Sequence, residues 1–214
     1  MMTLTQFNYI LTGAMWTVGL SLIAFIGGGL LGFIIALMRV SPNRWIRGAT
    51  WVYIQLIQGT PLLILLFLSY FGMSLLGYRP SPFFAVALGF SIYASAFLGE
   101  IWRGAIESVN RSQWEASACL GFDRFQQLSR IIIPQAVRIA TPPTVGFMVQ
   151  VVKHTSLASI VGFVELTRAA QVINNAIFQP FMIYLLIAAI YFAICYPLSQ
   201  LSKKLEGALN VSGR

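Results

Sequence analysis

The chain has 214 residues, 57% of them hydrophobic and only 9% charged, a mixture that excludes an ordinary water-soluble domain and makes a lipid bilayer its natural solvent. Its net charge of +8 does not make it a nucleic-acid binder, which needs basic residues gathered on one soluble surface beside polar or aromatic readers. Here the basic residues fall in short segments between apolar runs.

A hydrocarbon core about 30 Å thick takes roughly 20 apolar residues of helix rising about 1.5 Å per residue. No charge occurs from Met1 to Met38, Gly48 to Tyr78, Pro80 to Gly99 or Ala169 to Ser202. The first run predicts a span over 12–38. It lacks the basic start and short apolar centre of a cleaved signal peptide and runs on into Arg39 without a small-residue cleavage site, so it is expected to stay in the mature protein. Gly28 to Gly32 within it permits close helix packing. The second run predicts a span over 49–76, interrupted by Gly59-Thr60-Pro61, where the proline removes a backbone hydrogen bond. That interruption reads equally as a hinge beside a pathway and as a kink that fits neighbouring helices together. The third span is expected over 82–102 and the last over 181–201. A further span over 144–164 has the right length but contains Lys153 and His154. Cys119 and Cys195 have no CxxC or metal spacing and are expected to be free thiols.

Eleven of the fourteen basic residues (Arg39, Arg44, Arg47, Arg103, Arg111, Arg124, Arg130, Arg138, Lys203, Lys204 and Arg214) then share one face. Arg79 and Arg168 lie opposite. The positive-inside rule makes the crowded face cytoplasmic, with the N-terminus outside and the C-terminus inside.

The loop 103–141 is too long for a simple connection and must hold folded structure. Ser112-Gln113-Trp114-Glu115 fits a capping box, predicting a helix that starts at Gln113 and ends at Gly121. Asp123-Arg124-Phe125-Gln126 offers a second cap for a helix expected to stop before Pro134. Phe125, Leu128 and Ile132 form an apolar stripe on it. Spacing leaves two destinations open for that stripe, a partner's surface and the chain's own spans or the membrane surface.

Glu115-Ala116-Ser117-Ala118-Cys119-Leu120-Gly121, followed by Ile131-Ile132-Ile133-Pro134-Gln135-Ala136, resembles the EAA loop of ABC-importer permeases. Gln58-Gly59-Thr60-Pro61-Leu62, Glu100-Ile101-Trp102-Arg103-Gly104-Ala105-Ile106 and Lys153-His154-Thr155-Ser156-Leu157 resemble the polar amino acid branch of that family. The resemblance covers nearly the whole chain. It implies an all-α polytopic membrane protein of about five transmembrane helices with a cytoplasmic coupling helix, one permease domain over 1–214, in a bacterial inner membrane. It further implies that the loop docks in a groove of a cytoplasmic ATPase dimer, with Ser112, Glu115, Ala116, Gly121 and Pro134 as the coupling residues. A second permease subunit, identical or homologous, and an extracytoplasmic amino-acid-binding protein are the other implied partners. The sequence departs from the family at Gln58, where arginine is common, at Ser112, where glycine is common, and at His154, where aspartate commonly follows the lysine.

The chain has no GxxxxGK[ST] phosphate loop and no soluble segment large enough for a nucleotide domain, so it is expected to carry no catalytic residue and no cofactor or metal of its own. ATP and Mg belong to the partner ATPase. Ionisable groups in a span cost at least about 2.5 kcal/mol near its middle and are functional candidates by default. Lys153, His154, Thr155 and Ser156 lead, with Ser159 a turn later, as a polar cluster in one span. The structural alternative pairs the lysine with a carboxylate such as Glu100 and the histidine with a backbone carbonyl. Glu165 with Arg168, and Glu100 with Arg103, read either as further pathway groups or as plain ion pairs. Two other function classes stay open at this point. One is an ion-driven secondary carrier that uses Lys153 in its own cycle. The other is a non-transporting scaffold.

Overall fold

The computed structural model describes residues 3–212, and every regular element among them is helical. Helix α1 (Leu4–Arg39) opens on Thr3, whose hydroxyl accepts from the Gln6 amide while the Gln6 side chain accepts from the Thr3 amide. It is free of proline and runs for 36 residues. A Cβ on Gly28 would stand 2.4 Å from that of Ala94, and one on Gly32 2.9 Å from the Ser95 carbonyl. The expected close packing is therefore backbone against backbone, α1 on the helix that carries Ala94 and Ser95, where only glycine fits.

Helix α2 (Arg44–Gln58), capped by Asn43, gives way at Gly59-Thr60-Pro61 to α3 (Leu62–Phe67), a π turn (Leu68–Gly72) and α4 (Met73–Leu75). The two halves of this span meet at 102°. Proline lacks an amide hydrogen and pushes the residue before it out of the helical region, so α2 cannot pass through. The carbonyls freed near the break find donors nearby: the Thr60 amide bonds Ile57 O at 3.3 Å and the Thr60 hydroxyl bonds Leu56 O at 2.7 Å.

Helix α5 (Pro82–Ser108) starts with Ser81 as its cap and a proline in its first turn, where a missing amide costs nothing. It is the central post. Phe90, Ala94 and Leu98 are essentially inaccessible and pack with Leu20 of α1, Leu66 of α3, and Phe147 and Val151 from further along the chain.

The segment read as a loop over 103–141 is mostly helix. Helix α5 continues to Ser108, α6 covers Arg111–Cys119, and α7 (Arg124–Gln126) passes through a π turn (Gln127–Ile132) into α8 (Ile133–His154) and a 3-10 segment (Thr155–Val161). Two expectations are corrected here. The cap of α6 is Asn110, which accepts from the Ser112 amide at 3.0 Å, so the helix starts two residues before Gln113. The second helix does not stop before Pro134 but runs unbroken from Arg124 to Val161, because the wider π turn just ahead of the proline relieves its clash with the previous turn. Helix α9 (Leu166–Ile177) and α10 (Pro180–Ser212) complete the chain.

Among the described residues four helices are long and apolar enough to cross a membrane, five with the bent pair counted as one span. Large apolar side chains such as Leu30 and Ile26 on α1 and Leu185 and Phe192 on α10 stay exposed, the mark of helices whose solvent is hydrocarbon. Both cysteines are free thiols, Cys119 exposed and Cys195 buried.

Candidate functional site

Two regions bring the candidate residues together: an elbow formed by α6, and a cavity where two helices break. The elbow is rigid at both ends. After α6 the chain reverses at Gly121, with φ at +78°; the Gly121 amide bonds Ala118 O at 2.9 Å and the Phe122 amide bonds Ser117 O at 3.2 Å. This is a Schellman closure, which wants glycine because L side chains strain in the left-handed region. Asp123 then caps α7 through the predicted box with Gln126. Trp114 turns inward onto the cluster of Val109, Ile132 and Ala136, Ser117 is buried, and the Arg124 guanidinium lies 4.3 Å over the Trp114 ring. The Gln135 side chain reaches Gln113 Oε1 at 3.4 Å.

That anchoring answers where the apolar stripe goes. Leu128 and Ile132 pack on the chain's own bundle, whereas Phe125 stays 76% exposed. The outward face of α6 remains open, presenting Ser112, Glu115, Ala116, Cys119 and the 73% exposed Leu120. Glu115 is held only by Arg111, 2.9 Å away one turn back. Pro134 is exposed just past the π turn.

The second region lies between the break at Gly59-Thr60-Pro61 and the point where α8 tightens into 3-10 geometry after His154. A cavity of about 490 Å³ opens there, lined by Gln58, Gly59, Thr60, Pro61, Leu62, Leu63, Tyr93, Phe97, His154 and Leu157. Tyr93 and Phe97 form an aromatic wall, their ring centroids 4.5 Å apart, with the His154 imidazole edge-on to Tyr93 at 5.6 Å. His154 Nδ1 is buried and has no hydrogen-bond partner among the described residues, so the backbone carbonyl considered for it is not there. Gln58 donates to Ala96 O at 3.5 Å.

The polar cluster read from the sequence does not converge. Lys153 faces away from His154, into a groove of about 240 Å³ against α10 lined by Tyr191, Cys195, Tyr196 and Ser199, and no carboxylate among the described residues pairs with it. Adjacent residues on a helix point about 100° apart, so one span serves two cavities. The hydroxyls of Thr155, Ser156 and Ser159 each bond a carbonyl three residues back, at 2.7, 2.8 and 2.7 Å; they smooth the passage into 3-10 geometry.

Glu165 is also repositioned. It is fully buried, not part of an exposed pair with Arg168, which bonds Gln171 instead. Its carboxylate caps α9, accepting from the Thr167 and Arg168 amides at 2.8 and 2.9 Å, from the Tyr191 hydroxyl at 3.0 Å and from the Thr17 hydroxyl at 3.4 Å. Burial pushes this carboxyl above its ordinary range, against the downward pull of the amide and hydroxyl donors. The result is a knot joining α1, α9 and α10, whose Tyr191 also lines the groove that holds Lys153. Glu100 keeps its local partner Arg103, at 2.8 Å, and gains Arg39 of α1 at 3.9 Å; Arg103 also holds Glu107. The Arg39–Glu100 link and the contact of Tyr93 with His154 join residues far apart in the chain and leave no mark in local spacing.

Comparison with known proteins agrees with this architecture. The family described as "Binding-protein-dependent transport system inner membrane component" matches residues 28–209. The probable amino-acid ABC transporter permease protein YckA of Bacillus subtilis (strain 168) is 36% identical over 194 residues, covering 91% of this chain and 86% of the relative. The L-cystine transport system permease protein TcyB of the same organism is 37% identical over 199 residues, covering 92% and 85%. The crystal structure of an amino acid ABC transporter with histidines superposes with a TM-score of 0.88 at 33% identity, covering 94% of both chains. A family match over most of the chain, an all-helical membrane bundle and a doubly capped elbow agree: this chain belongs to the binding-protein-dependent transport system inner membrane components.

Proposed function

We propose that the chain is the permease subunit of an ABC importer that carries a polar amino acid across the bacterial inner membrane. The amino acid is delivered by an extracytoplasmic binding protein, and the energy comes from a separate cytoplasmic ATPase dimer that holds ATP and Mg. A second permease subunit completes the pathway. The N-terminus lies outside and the C-terminus inside, as the crowding of basic residues on one face supports. The relatives' amino acid substrates support the class of cargo, and no observation favours an ion-driven carrier or a scaffold.

The observation that carries this reading is the unbroken helix from Arg124 to Val161. One end begins at the elbow and the other passes the cavity between the two breaks. Closure of the ATPase dimer presses on the open face of α6, at Ser112, Glu115, Ala116 and Gly121. The elbow cannot bend freely, since it is capped at both ends and pinned by Trp114. The push therefore moves α7 and α8 as one lever past Pro134, and the walls at His154 and at Gly59-Thr60-Pro61 shift from an outward-open to an inward-open arrangement. In this reading the break in the second span is the hinge. Lys153, Thr155 and Ser156 shape the moving segment, Glu100 ties the static post α5 to α1 through Arg39, and Glu165 fixes the outer end of the pathway.

Glu115→Lys tests the docking role. The Glu115–Arg111 pair is exposed at 65% and 90%, so its loss costs stability little. The variant is expected to insert and assemble normally, yet to lose binding-protein-stimulated ATP hydrolysis in proteoliposomes. Normal stimulation would remove α6 from the coupling path.

A further inference from the structure

We propose that the first turns of α2 bind an anionic phospholipid of the cytoplasmic leaflet, its headgroup held by Arg44 and Arg47 and one acyl chain lying along Trp45, Val52 and Leu56. The choice of leaflet follows from the orientation proposed above; the site itself does not depend on it.

The first argument is an uncovered apolar stripe. Every residue from 42 to 49 is exposed, and the buried residues of α2 are Thr50 and Ile54. The open face is nevertheless apolar: Trp45 is 84% exposed, and Trp51, Val52 and Leu56 are exposed as well. Positions 45, 52 and 56 fall on one face of a helix, turned away from the side that carries Thr50 and Ile54. From Trp45 to Leu56 the helix rises roughly 16 Å, close to one leaflet's half of a hydrocarbon core about 30 Å thick. A stripe of that length fits one acyl chain, and a tryptophan at its end suits headgroup depth.

The second argument is charge. Arg44 and Arg47 are neighbours on the helix surface, and no carboxylate among the described residues pairs with either. The chain supplies none nearby, since its first acidic residue is Glu100, which Arg103 and Arg39 engage. The Arg39–Glu100 link sets the turn between α1 and α2 level with the end of α5 that leads into the elbow. Both arginines therefore lie on the elbow's side of the membrane. The turn is tied in place, Arg47 donating to Ser41 O and Arg39 to Arg47 O, each at 3.4 Å. Two cations without a counter-charge at the end of an apolar stripe match an amphiphile with an anionic head and an apolar tail. A choline headgroup brings a cation of its own to the same place and is disfavoured.

The test is native mass spectrometry of the complete, delipidated permease–ATPase complex, titrated with an equal mixture of phosphatidylglycerol and phosphatidylcholine carrying the same acyl chains. An arginine beside an anionic headgroup contributes about fivefold in affinity, so retention of phosphatidylglycerol is expected to exceed that of phosphatidylcholine at least about fivefold. Arg44→Gln with Arg47→Gln should remove the preference. Lys203→Gln with Lys204→Gln, which removes the same charge from the exposed end of α10, should keep it. Trp45→Ala should lower retention of both lipids, and inorganic phosphate should displace neither, because it has no tail for the stripe. A photoactivatable crosslinker on Trp45→Cys, in a Cys119→Ala, Cys195→Ala background, should label lipid. Equal retention of the two lipids, an unchanged preference without the two arginines, an equal loss without the two lysines, unchanged retention in Trp45→Ala, displacement by phosphate, or labelling of a second permease chain would each overturn the assignment. None of these readouts requires transport, so the importer reading stands or falls separately, on binding-protein-stimulated ATP hydrolysis.

Discussion

Gly121 offers the sharpest test of the rigid elbow, because its substitution changes backbone preference and nothing else. At φ +78° the residue lies in the left-handed region, and a Cβ there would meet no atom within 4 Å. Steric crowding therefore contributes nothing, and the cost is conformational, roughly 1 to 2 kcal/mol for an ordinary L residue. A cost of that size shifts an equilibrium roughly 5- to 30-fold. It falls on the closing turn of α6, where the Gly121–Ala118 and Phe122–Ser117 bonds are exchanged for a frayed end. Gly121→Val, β-branched and ill-suited to this region, is expected to lose most of the stimulated ATP hydrolysis while melting at nearly the parent temperature, since the bundle is untouched. Gly121→Asn should retain most of it, because asparagine enters the left-handed region far more readily. The assay is stimulated hydrolysis and vectorial uptake in proteoliposomes, with a detergent melting curve as the control. If Val and Asn behave alike, the closing turn does not transmit the push.

Other outcomes follow from the packing. Glu165→Ala removes the cap of α9 and takes one partner each from the Tyr191 and Thr17 hydroxyls, which keep Thr167 Oγ1 and the Leu166 amide; losing the cap alone costs about 1 kcal/mol and each lost hydrogen bond about 1 kcal/mol more, so the melting temperature should fall clearly, with Tyr191→Phe giving a smaller drop. Gly28→Leu drives a side chain into the Ala94 backbone and should abolish recovery of monodisperse protein, whereas Gly19→Ala, at a position with open space around it, should leave yield unchanged.

Composition and local pattern determined much of this protein. Charge-free runs mark four long apolar segments, because burial in hydrocarbon is decided by the side chains of one continuous segment. The Gly-Thr-Pro break, the Asp123 cap and the Gly121 closure were readable for the same reason, since turn chemistry acts within four or five residues. Even so, two local readings failed against competing local chemistry: Asn110 took the cap expected of Ser112, and a π turn carried the helix past Pro134.

What the sequence left open was direction. Lys153 and His154 read as one cluster, yet they line two separate cavities, and which of these lies against α5 and which against α10 is set by how the helices pack. Glu165 read as an exposed partner for Arg168, but its role was decided by Tyr191 and Thr17, 26 and 148 residues away. Lipid rewards every apolar face of a helix alike, so hydrophobicity alone cannot say which face meets a neighbour. Only the close fit of glycine ridges against α5, and the polar groups that had to find partners inside the bundle, fixed that choice.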